Sequence, residues 1–486
     1  MIKTLLHKLT NALFRYLLPA YNRSPKSTSA QAIHTSMRTD IDIAGLDKAK
    51  ITNRADHSIS RKNISPNALK VLYKLGDASY AGYLVGGGVR DLLLGYRPKD
   101  FDIATNATPE QLKSLFRNAR IIGRRFKIVH IRFGREIIEV TTFRAPHNSK
   151  HEFEDSASRR QMKELSSAHS STGMILRDNV YGDIDEDALR RDFTVNALYY
   201  TVNNFELLDF SGGITDLNNQ LIRMIGDPVE RYKEDPVRML RALRFSAKLN
   251  FELEEKTGRP INELASLHES LSPARLFDET LKLLTGGHAK KTFALLKQYK
   301  VGAYLFPDTL NALEHTPSCA TKLLDLALCN TDIRLAEGKS VTPAFLFAAL
   351  LWPVFQEKLT KQRDGQQFQL QNYQQTANAV LLEQLNYTSV PKRFSSASRE
   401  IWELQLRLAR RNRRSIESAF AHPRFRAAYD FLLLREESGE QLNNLGQWWT
   451  DFQNGDSQHQ KSMVDALAPN KNHQRRRRPK TPDGAV

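Results

Sequence analysis

Apolar and polar residues change their period several times along the chain. From Ser65, Ala68, Leu69, Val71, Leu72 and Leu75 recur at helical spacing, which predicts a helix capped by Ser65 with Pro66 in its first turn. Tyr83-Leu84-Val85 reads as a short buried strand that ends in Gly86, Gly87 and Gly88, residues free to form a tight turn. Asp100-Phe101-Asp102-Ile103 alternates as a strand does, so Asp100 and Asp102 share one face and Phe101 and Ile103 the other. Thr108-Pro109-Glu110 starts another helix, with Leu112, Leu115 and Phe116 inward. Residues 121–131 and 136–144 read as further strands around a turn at Gly134. In the later one Ile138, Val140 and Thr142 face one way, and Ile137, Glu139 and Thr141 the other. Past residue 250 the pattern is helix after helix. The prediction is an α+β chain, with a small mixed sheet in the head and an all-α remainder.

The flanks differ. Residues 1–22 place Ile2, Leu5, Leu6, Leu9, Leu13 and Leu17 at helical spacing, with Lys3, Lys8 and Arg15 largely opposite. This basic amphipathic helix suits peripheral membrane contact or docking to a partner. Residues 23–60 read as a polar linker, 145–172 as a long loop without period, and 456–486 as a disordered tail carrying Arg475, Arg476, Arg477 and Arg478. Composition is ordinary for a globular protein, but the net charge of +17 is not. Such an excess favours a polyanionic partner. Two cysteines in 486 residues give neither a disulfide framework nor a CxxC metal pair, which fits a reducing, cytoplasmic setting. No run approaches the length of a membrane span.

The chemistry gathers in three blocks. Asp100 and Asp102, soon after a glycine turn, suit divalent cations held against a nucleoside triphosphate, because Mg²⁺ takes one or two carboxylates plus phosphate oxygens. Glu139, amid β-branched residues, needs a partner, and a shared metal would be one. In the second block, Arg190 and Arg191 offer paired donors to triphosphate oxygens, while Asp192 and Asn196, four apart, are expected on one helical face. In the third, Asp235 is expected to cap a helix with Pro236 in its first turn, and Arg238, Arg241 and Arg244 follow at steps of three. Lys392-Arg393-Phe394, residues 404–415 with Arg410 and Arg411, and residues 422–426 mix basic and aromatic residues in a way that suits single-stranded nucleic acid. Trp448 and Trp449 read as core. No adjacent His-Asp dyad marks an appended phosphohydrolase.

The glycine turn with Asp100 and Asp102 resembles the DNA polymerase β nucleotidyltransferase superfamily. GGGVRDLLLG (86–95), KDFDIATNATPEQL (99–112) and RRDFTVNAL (190–198) narrow the resemblance to the branch of bacterial tRNA nucleotidyltransferases and poly(A) polymerases. Residues 121–131, IIGRRFKIVHI, fit the stretch reported to mark the poly(A) polymerases, and the likeness continues over roughly 55–486. The resemblance implies template-independent addition of AMP from ATP to RNA 3′ ends, with CCA addition to tRNA as the alternative. It implies catalytic Asp100, Asp102 and Glu139 with two Mg²⁺ on the aspartates. Gly86, Gly87, Gly88, Arg90, Arg190, Arg191, Asp192, Asn196, Asp235, Arg238 and Arg241 would bind nucleotide. Within the block Glu234-Asp235-x-x-Arg238 it implies that Asp235 and Arg238 read the base. A carboxylate and a guanidinium complement adenine's amino donor and ring acceptor; cytosine carries the same pair, so the motif alone does not separate them. RNA contacts fall to Arg124, Arg125, Lys392, Arg393, Arg410, Arg411 and Arg475 to Arg478. The implied organisation is a linker to 60, a nucleotidyltransferase head at 61–205, a neck at 206–290, a helical body at 291–455 and the tail. A monomer that meets the RNA-decay machinery is the expected setting.

Overall fold

The computed structural model describes residues 43–123, 127–145, 167–169, 175–178, 180–315, 318–361 and 370–467. Residues 1–22, Arg124, Arg125, most of the 145–172 loop and Arg475 to Arg478 lie outside the described residues. Eight strands form one mixed sheet: β1 (Lys50–Thr52), β2 (Gly82–Val85), β3 (Asp102–Thr105), β4 (Ala119–Ile122), β5 (Ile128–Phe133), β6 (Glu136–Thr142), then β9 (Leu198–Tyr200) and β10 (Leu207–Asp209). A separate pair, β7 (Ser167–His169) and β8 (Ile175–Asp178), stands between them in sequence. The order is β1-β10-β9-β2-β3-β6-β5-β4, and β3–β6 is the parallel pair in it.

Local chemistry sets the helices. In α1 (Pro66–Asp77) Ser65 Oγ accepts from the backbone of Asn67 and Ala68, and Ala68, Val71, Leu72 and Leu75 are buried. A glycine-initiated α2 (Gly87–Leu93) follows β2, and α3 (Pro109–Leu115) opens with a reciprocal Thr108–Gln111 capping box. Val71 and Leu75 of α1 and Leu112 of α3 pack with Leu84, Ile103, Val129, Ile131, Ile138 and Val140 on one face of the sheet. On the other face, α4 (Ile184–Leu189) packs Ile184 and Ala188 with Tyr83, Val85, Ala104, Tyr199 and Leu208. Burial of each such side chain contributes about 1.5–3 kcal/mol. These two layers hold β2, β3 and β6 side by side at the centre of the sheet.

Three expected boundaries move. Residues 43–60 are not simply linker: β1 adds to the sheet by pairing with β10, an interaction that a three-residue strand with a single apolar residue does not advertise. The head runs past residue 205, because β9 and β10 pair as a hairpin in the same sheet. The tail begins later than 456, since Asp456 caps a helix over Ser457–Asp465 whose Met463 and Val464 pack on the last core cluster.

The rest is helical. α5 (Gly213–Asn218), α6 (Pro228–Glu234), α7 (Val237–Leu249), α8 (Glu255–Leu264) and α9 (Pro273–Leu284) lead into a further series of helices. A single cluster of buried apolar residues runs from Phe193 through Leu434, so the expected neck and body share one core. Phe277 stacks with both Phe347 and Phe394, at 5.7 and 6.1 Å, across that junction. Trp449 is fully buried with its Nε1 donating to the Leu408 carbonyl, and Trp448 packs beside it, as expected of core residues.

His268 is fully buried in the helical core, with Nδ1 on the Ala265 carbonyl at 2.8 Å and its ring stacked on Tyr304. Burial pushes its pKa down from 6.5 to about 4. The unfolded chain therefore takes up a proton that the native state refuses as pH falls from about 7 towards 4. Stability should drop over that window by up to about 3 kcal/mol from this group. Urea midpoints at pH 7.5 and 5 check it: His268→Asn, which retains a donor for Ala265, should lose measurably less stability between the two pH values than the parent chain.

Candidate active site

Gly86 ends β2 with φ 70° and ψ −138°, a conformation that essentially only glycine holds without strain. A Cβ there would stand 3.7 Å from Arg191 Nη1, 3.9 Å from the Asn196 carbonyl and 4.0 Å from Asp102 Oδ2. The glycine turn, the acidic strand and the double arginine thus meet at one point. Asp100 is exposed just before β3, and Asp102 is the first residue of that strand. Asp102 stands in register with Glu139 on β6, so both carboxylates project from the same face. Burial raises the Asp102 pKa to about 6; Glu139 and Asp100 push the same way and Arg191 opposes them. A partly buried carboxylate beside two others is short of positive charge.

These groups fit a divalent cation. Among the described residues no set of three His, Cys, Asp or Glu converges closely enough to hold a metal by protein ligands alone. Mg²⁺ does not require such a set, since phosphate oxygens and water complete its shell. Glu139 is turned towards His130, with Nε2 and Oε1 3.2 Å apart, so it flanks Asp102 and does not close a cage around it.

The second block is not the continuous helix expected. α4 ends at Leu189, and Thr194–Asn196 is a separate 3₁₀ turn, so Asp192 and Asn196 share no helical face. Phe193 between them is extended and pairs with Met224, which breaks the helix. The Arg191 guanidinium donates to Tyr199 Oη at 2.7 Å and Asp187 Oδ2 at 3.0 Å. Burial alone would weaken that charge, but Tyr199 and Asp187 outweigh it and hold the guanidinium protonated. Asn196 instead accepts from Arg90 Nη1 at 2.5 Å. Arg90 is 2% exposed and also bonded to Asp91, so in this structure it braces the glycine turn.

Asp192 joins this block to the third. It accepts from Arg238 Nε at 2.9 Å and pairs with Arg241 at 2.7 Å. Burial opposes its charge, yet Arg241, Arg238 and Arg231 together keep its pKa below the ordinary carboxylate value. Arg238 is further held by Glu234 at 2.6 Å and by the Arg231 carbonyl at 2.8 Å. The helix begins at Val237, so Asp235 precedes its first turn and does not sit at the cap position expected; its Oδ1 still accepts from the Val237 backbone.

Two residues here escaped sequence reasoning. Arg231 Nη2 donates to the carbonyls of Arg190 and Arg191, at 2.5 and 2.9 Å, and so pins the double arginine to α6. Arg275, in the first turn of α9, sets one nitrogen against both oxygens of Asp235, at 2.8 and 2.9 Å. Arg231 falls three residues before Glu234 in the third block, and that proximity was a usable signal. Arg275, 40 positions beyond Asp235, offered none. Among the candidate RNA residues, Lys392 and Arg393 are exposed at the start of a helix over Lys392–Ala409; Arg410 is exposed beyond its end, with Arg411 half-buried. Arg393 lies over Phe394 at 4.7 Å and Arg411 over Trp448 at 6.0 Å. No helix among the described residues is long and apolar enough to cross a membrane.

Comparison with known proteins is consistent with this site. Residues 82–223 match the Poly A polymerase head domain, 250–313 the probable RNA and SrmB-binding site of polymerase A, and 365–482 the polymerase A arginine-rich C-terminus. Poly(A) polymerase I of Salmonella typhimurium (strain LT2) is 47% identical over 433 residues, 88% of this chain and 90% of that protein. The Haemophilus influenzae counterpart is 44% identical over 89% of this chain and 95% of its own length. A CCA-adding enzyme from Lactobacillus helveticus is 37% identical, but over 47% of this chain and 52% of its own. A solved tRNA-processing enzyme with CTP shares the fold, with a TM-score of 0.52 at 21% identity over 82% of this chain and 97% of that one.

Asp192 pairs with the buried Arg238 and the part-exposed Arg241, so Asp192→Asn takes a counter-charge from both and leaves Glu234 alone between Arg238 and Arg231. Breaking a buried pair from one side costs roughly 3–5 kcal/mol. Urea denaturation of the variant at pH 7.5 should show a loss of that order, and ATP affinity should fall with it.

Proposed function

Because this chain belongs to the bacterial poly(A) polymerase family, we propose that it extends RNA 3′ ends with AMP from ATP, without a template, releasing pyrophosphate. The observation that carries the reading is the meeting of Asp102, Glu139, Gly86 and Arg191 on the central strands of the sheet and the turn beside them. It sets groups that need a cation beside groups that need an anion, around a backbone turn at Gly86 that essentially only glycine holds without strain. A nucleoside triphosphate with its metal satisfies both. Two Mg²⁺ ions on Asp100 and Asp102, when bound, would acidify the attacking RNA hydroxyl and offset the charge of the triphosphate.

The chain's own residues do the positioning. Gly86, Gly87 and Gly88 let the triphosphate approach the backbone at the start of α2. Arg191, held by Tyr199 and Asp187, presents Nη1 beside Gly86, with Arg190 next to it, to take the leaving pyrophosphate. Arg238, fixed by Asp192 and Glu234, and Asp235, fixed by Arg275, offer a guanidinium and a carboxylate to the base. Arg241, 41% exposed at its side chain, extends the same cationic line outward. Because these groups are tied to one another without nucleotide, little reorganisation accompanies binding. Basic residues of the helical part, Lys392, Arg393, Arg410 and Arg411 among them, hold the RNA through its phosphates and by stacking. Poly(A) added in this way marks RNA for decay, and the decay machinery of the cytoplasm is the partner it serves.

Primer extension with the full chain tests the reading. A short labelled RNA without tRNA structure is incubated with each nucleoside triphosphate in turn. Long tails with ATP alone are expected; a stop after one to three nucleotides, or equal use of CTP, would favour CCA addition. Asp102→Asn should slow elongation by three orders of magnitude or more while RNA binding is retained, roughly the loss that follows removal of metal-based charge stabilisation. Near-normal elongation by that variant would overturn the role given to the carboxylates.

A further inference from the structure

Strand register sets four side chains in one row across the sheet. Asp102 on β3 faces Glu139 on β6, Glu139 faces His130 on β5, and His130 faces Arg120 on β4. Residues paired in this way project from the same face of a sheet. Their sequence neighbours Ile103, Ile138, Val140, Val129, Ile131 and Ala119 are all buried on the opposite face. With strands about 4.8 Å apart, the row from Asp102 to Arg120 is roughly 14 Å long. One step along, Arg132 stands opposite Ile137, and Ile122 lies beyond Arg120 on the same side.

Among the described residues no helix covers this face in this half of the sheet. α4 covers the face over β2, β3, β9 and β10, whereas Ile137 and Ile122 are 41% and 38% exposed and Arg120 and Arg132 are exposed. No acidic side chain among the described residues pairs with either arginine; Arg132 Nε donates to the Gly134 carbonyl. The row thus passes from carboxylates, through an imidazole bonded to Glu139, to two guanidinium groups flanked by exposed aliphatic side chains.

We propose that this open face is the seat of the RNA nucleotides just upstream of the reacting 3′ end, with Arg120 and Arg132 holding their phosphates. The proposal rests on the polyadenylation reading, since it starts from a 3′-hydroxyl placed at Asp102. From that point a polyanion is repelled by uncovered carboxylate and drawn to cations on the same surface that, among the described residues, have no carboxylate partner. Those are two to three strands away. Ile122 and Ile137 supply apolar contact for sugars and base edges without reading sequence, which suits a primer that changes to poly(A) as it grows. The matched RNA-binding stretch, 250–313, and the arginine-rich region, 365–482, include none of these residues.

The test uses the full chain and RNA oligonucleotides in which a single phosphate is replaced by a neutral methylphosphonate, at each of the first four linkages from the 3′ end or at the eighth. Fluorescence anisotropy reads binding, so the result does not depend on turnover. Neutralising the second or third linkage should weaken binding to the parent chain about tenfold, a loss appropriate to charge-assisted phosphate contacts. Arg120→Gln with Arg132→Gln should cost about as much with unmodified RNA and make the enzyme indifferent to that replacement. Arg120→Lys with Arg132→Lys should keep most of the affinity, and the eighth linkage should matter equally to all variants. Additive losses from protein and RNA changes, or unaltered binding by the glutamine variant, would overturn the proposal. Position-specific interference without any incorporation of AMP would instead sink the polymerase reading and leave the RNA seat standing.

Discussion

Parallel pairing of β3 with β6 brings Asp102 and Glu139 side by side, and the rest of the site answers that crowding. Like charges on neighbouring strands, one of them substantially buried, raise each other's free energy unless a cation intervenes. Burial and Glu139 lift the Asp102 pKa to about 6. The fold tolerates this because both strands are anchored from behind by Ile103, Ile138 and Val140. Packing on one face of the sheet holds in place an arrangement on the other face that is unfavourable until substrate and metal arrive. Such preorganised charge is a general source of catalytic power.

Around the carboxylates the cations are tethered in pairs, and a few acids do most of the tethering. Asp187 and Tyr199 hold Arg191, Asp192 holds Arg238 and Arg241, and Arg275 in turn holds Asp235. Arg191, Arg238 and Arg241 each have an acidic partner that offsets the cost of their burial. Each keeps its charge, and its direction is set by geometry. Arg90 shows the limit of the pattern. Its position after the glycines invites a role at the phosphate, but the structure uses it as a buried brace between Asn196 and Asp91.

Apolar packing continues from the arginine block into the helical remainder. Phe193 of the arginine block belongs to the same core as Phe347 and Trp402, far along the chain. Asp235, Arg238 and the helix that carries Lys392 and Arg393 are therefore tied to one packed body. Movement of the helical part would strain the groups that hold Asp235 and Arg238. This coupling follows from Phe277, which belongs to the helix that carries Arg275 and stacks on Phe347 and Phe394.

Much of this was legible in the linear order of residues. Strand alternation separated Ile138 and Val140 from Glu139, serine–proline and threonine–proline starts located α1 and α3, and three short blocks named the acids and arginines of the site. Those features depend on near neighbours in sequence, whose spacing converts directly into a face or a cap. What the linear order could not determine was partnership. That Glu139 leans on His130, that Arg275 crosses 40 positions to clamp Asp235, and that Asp192 and Asn196 part company all depend on which elements pack together. The same holds for β1, whose three largely exposed residues become a strand only because β10 leaves an edge unpaired. Periodicity reports the face a side chain turns to; only the packed chain decides which charge waits there, because burial energy and long-range pairing are settled together.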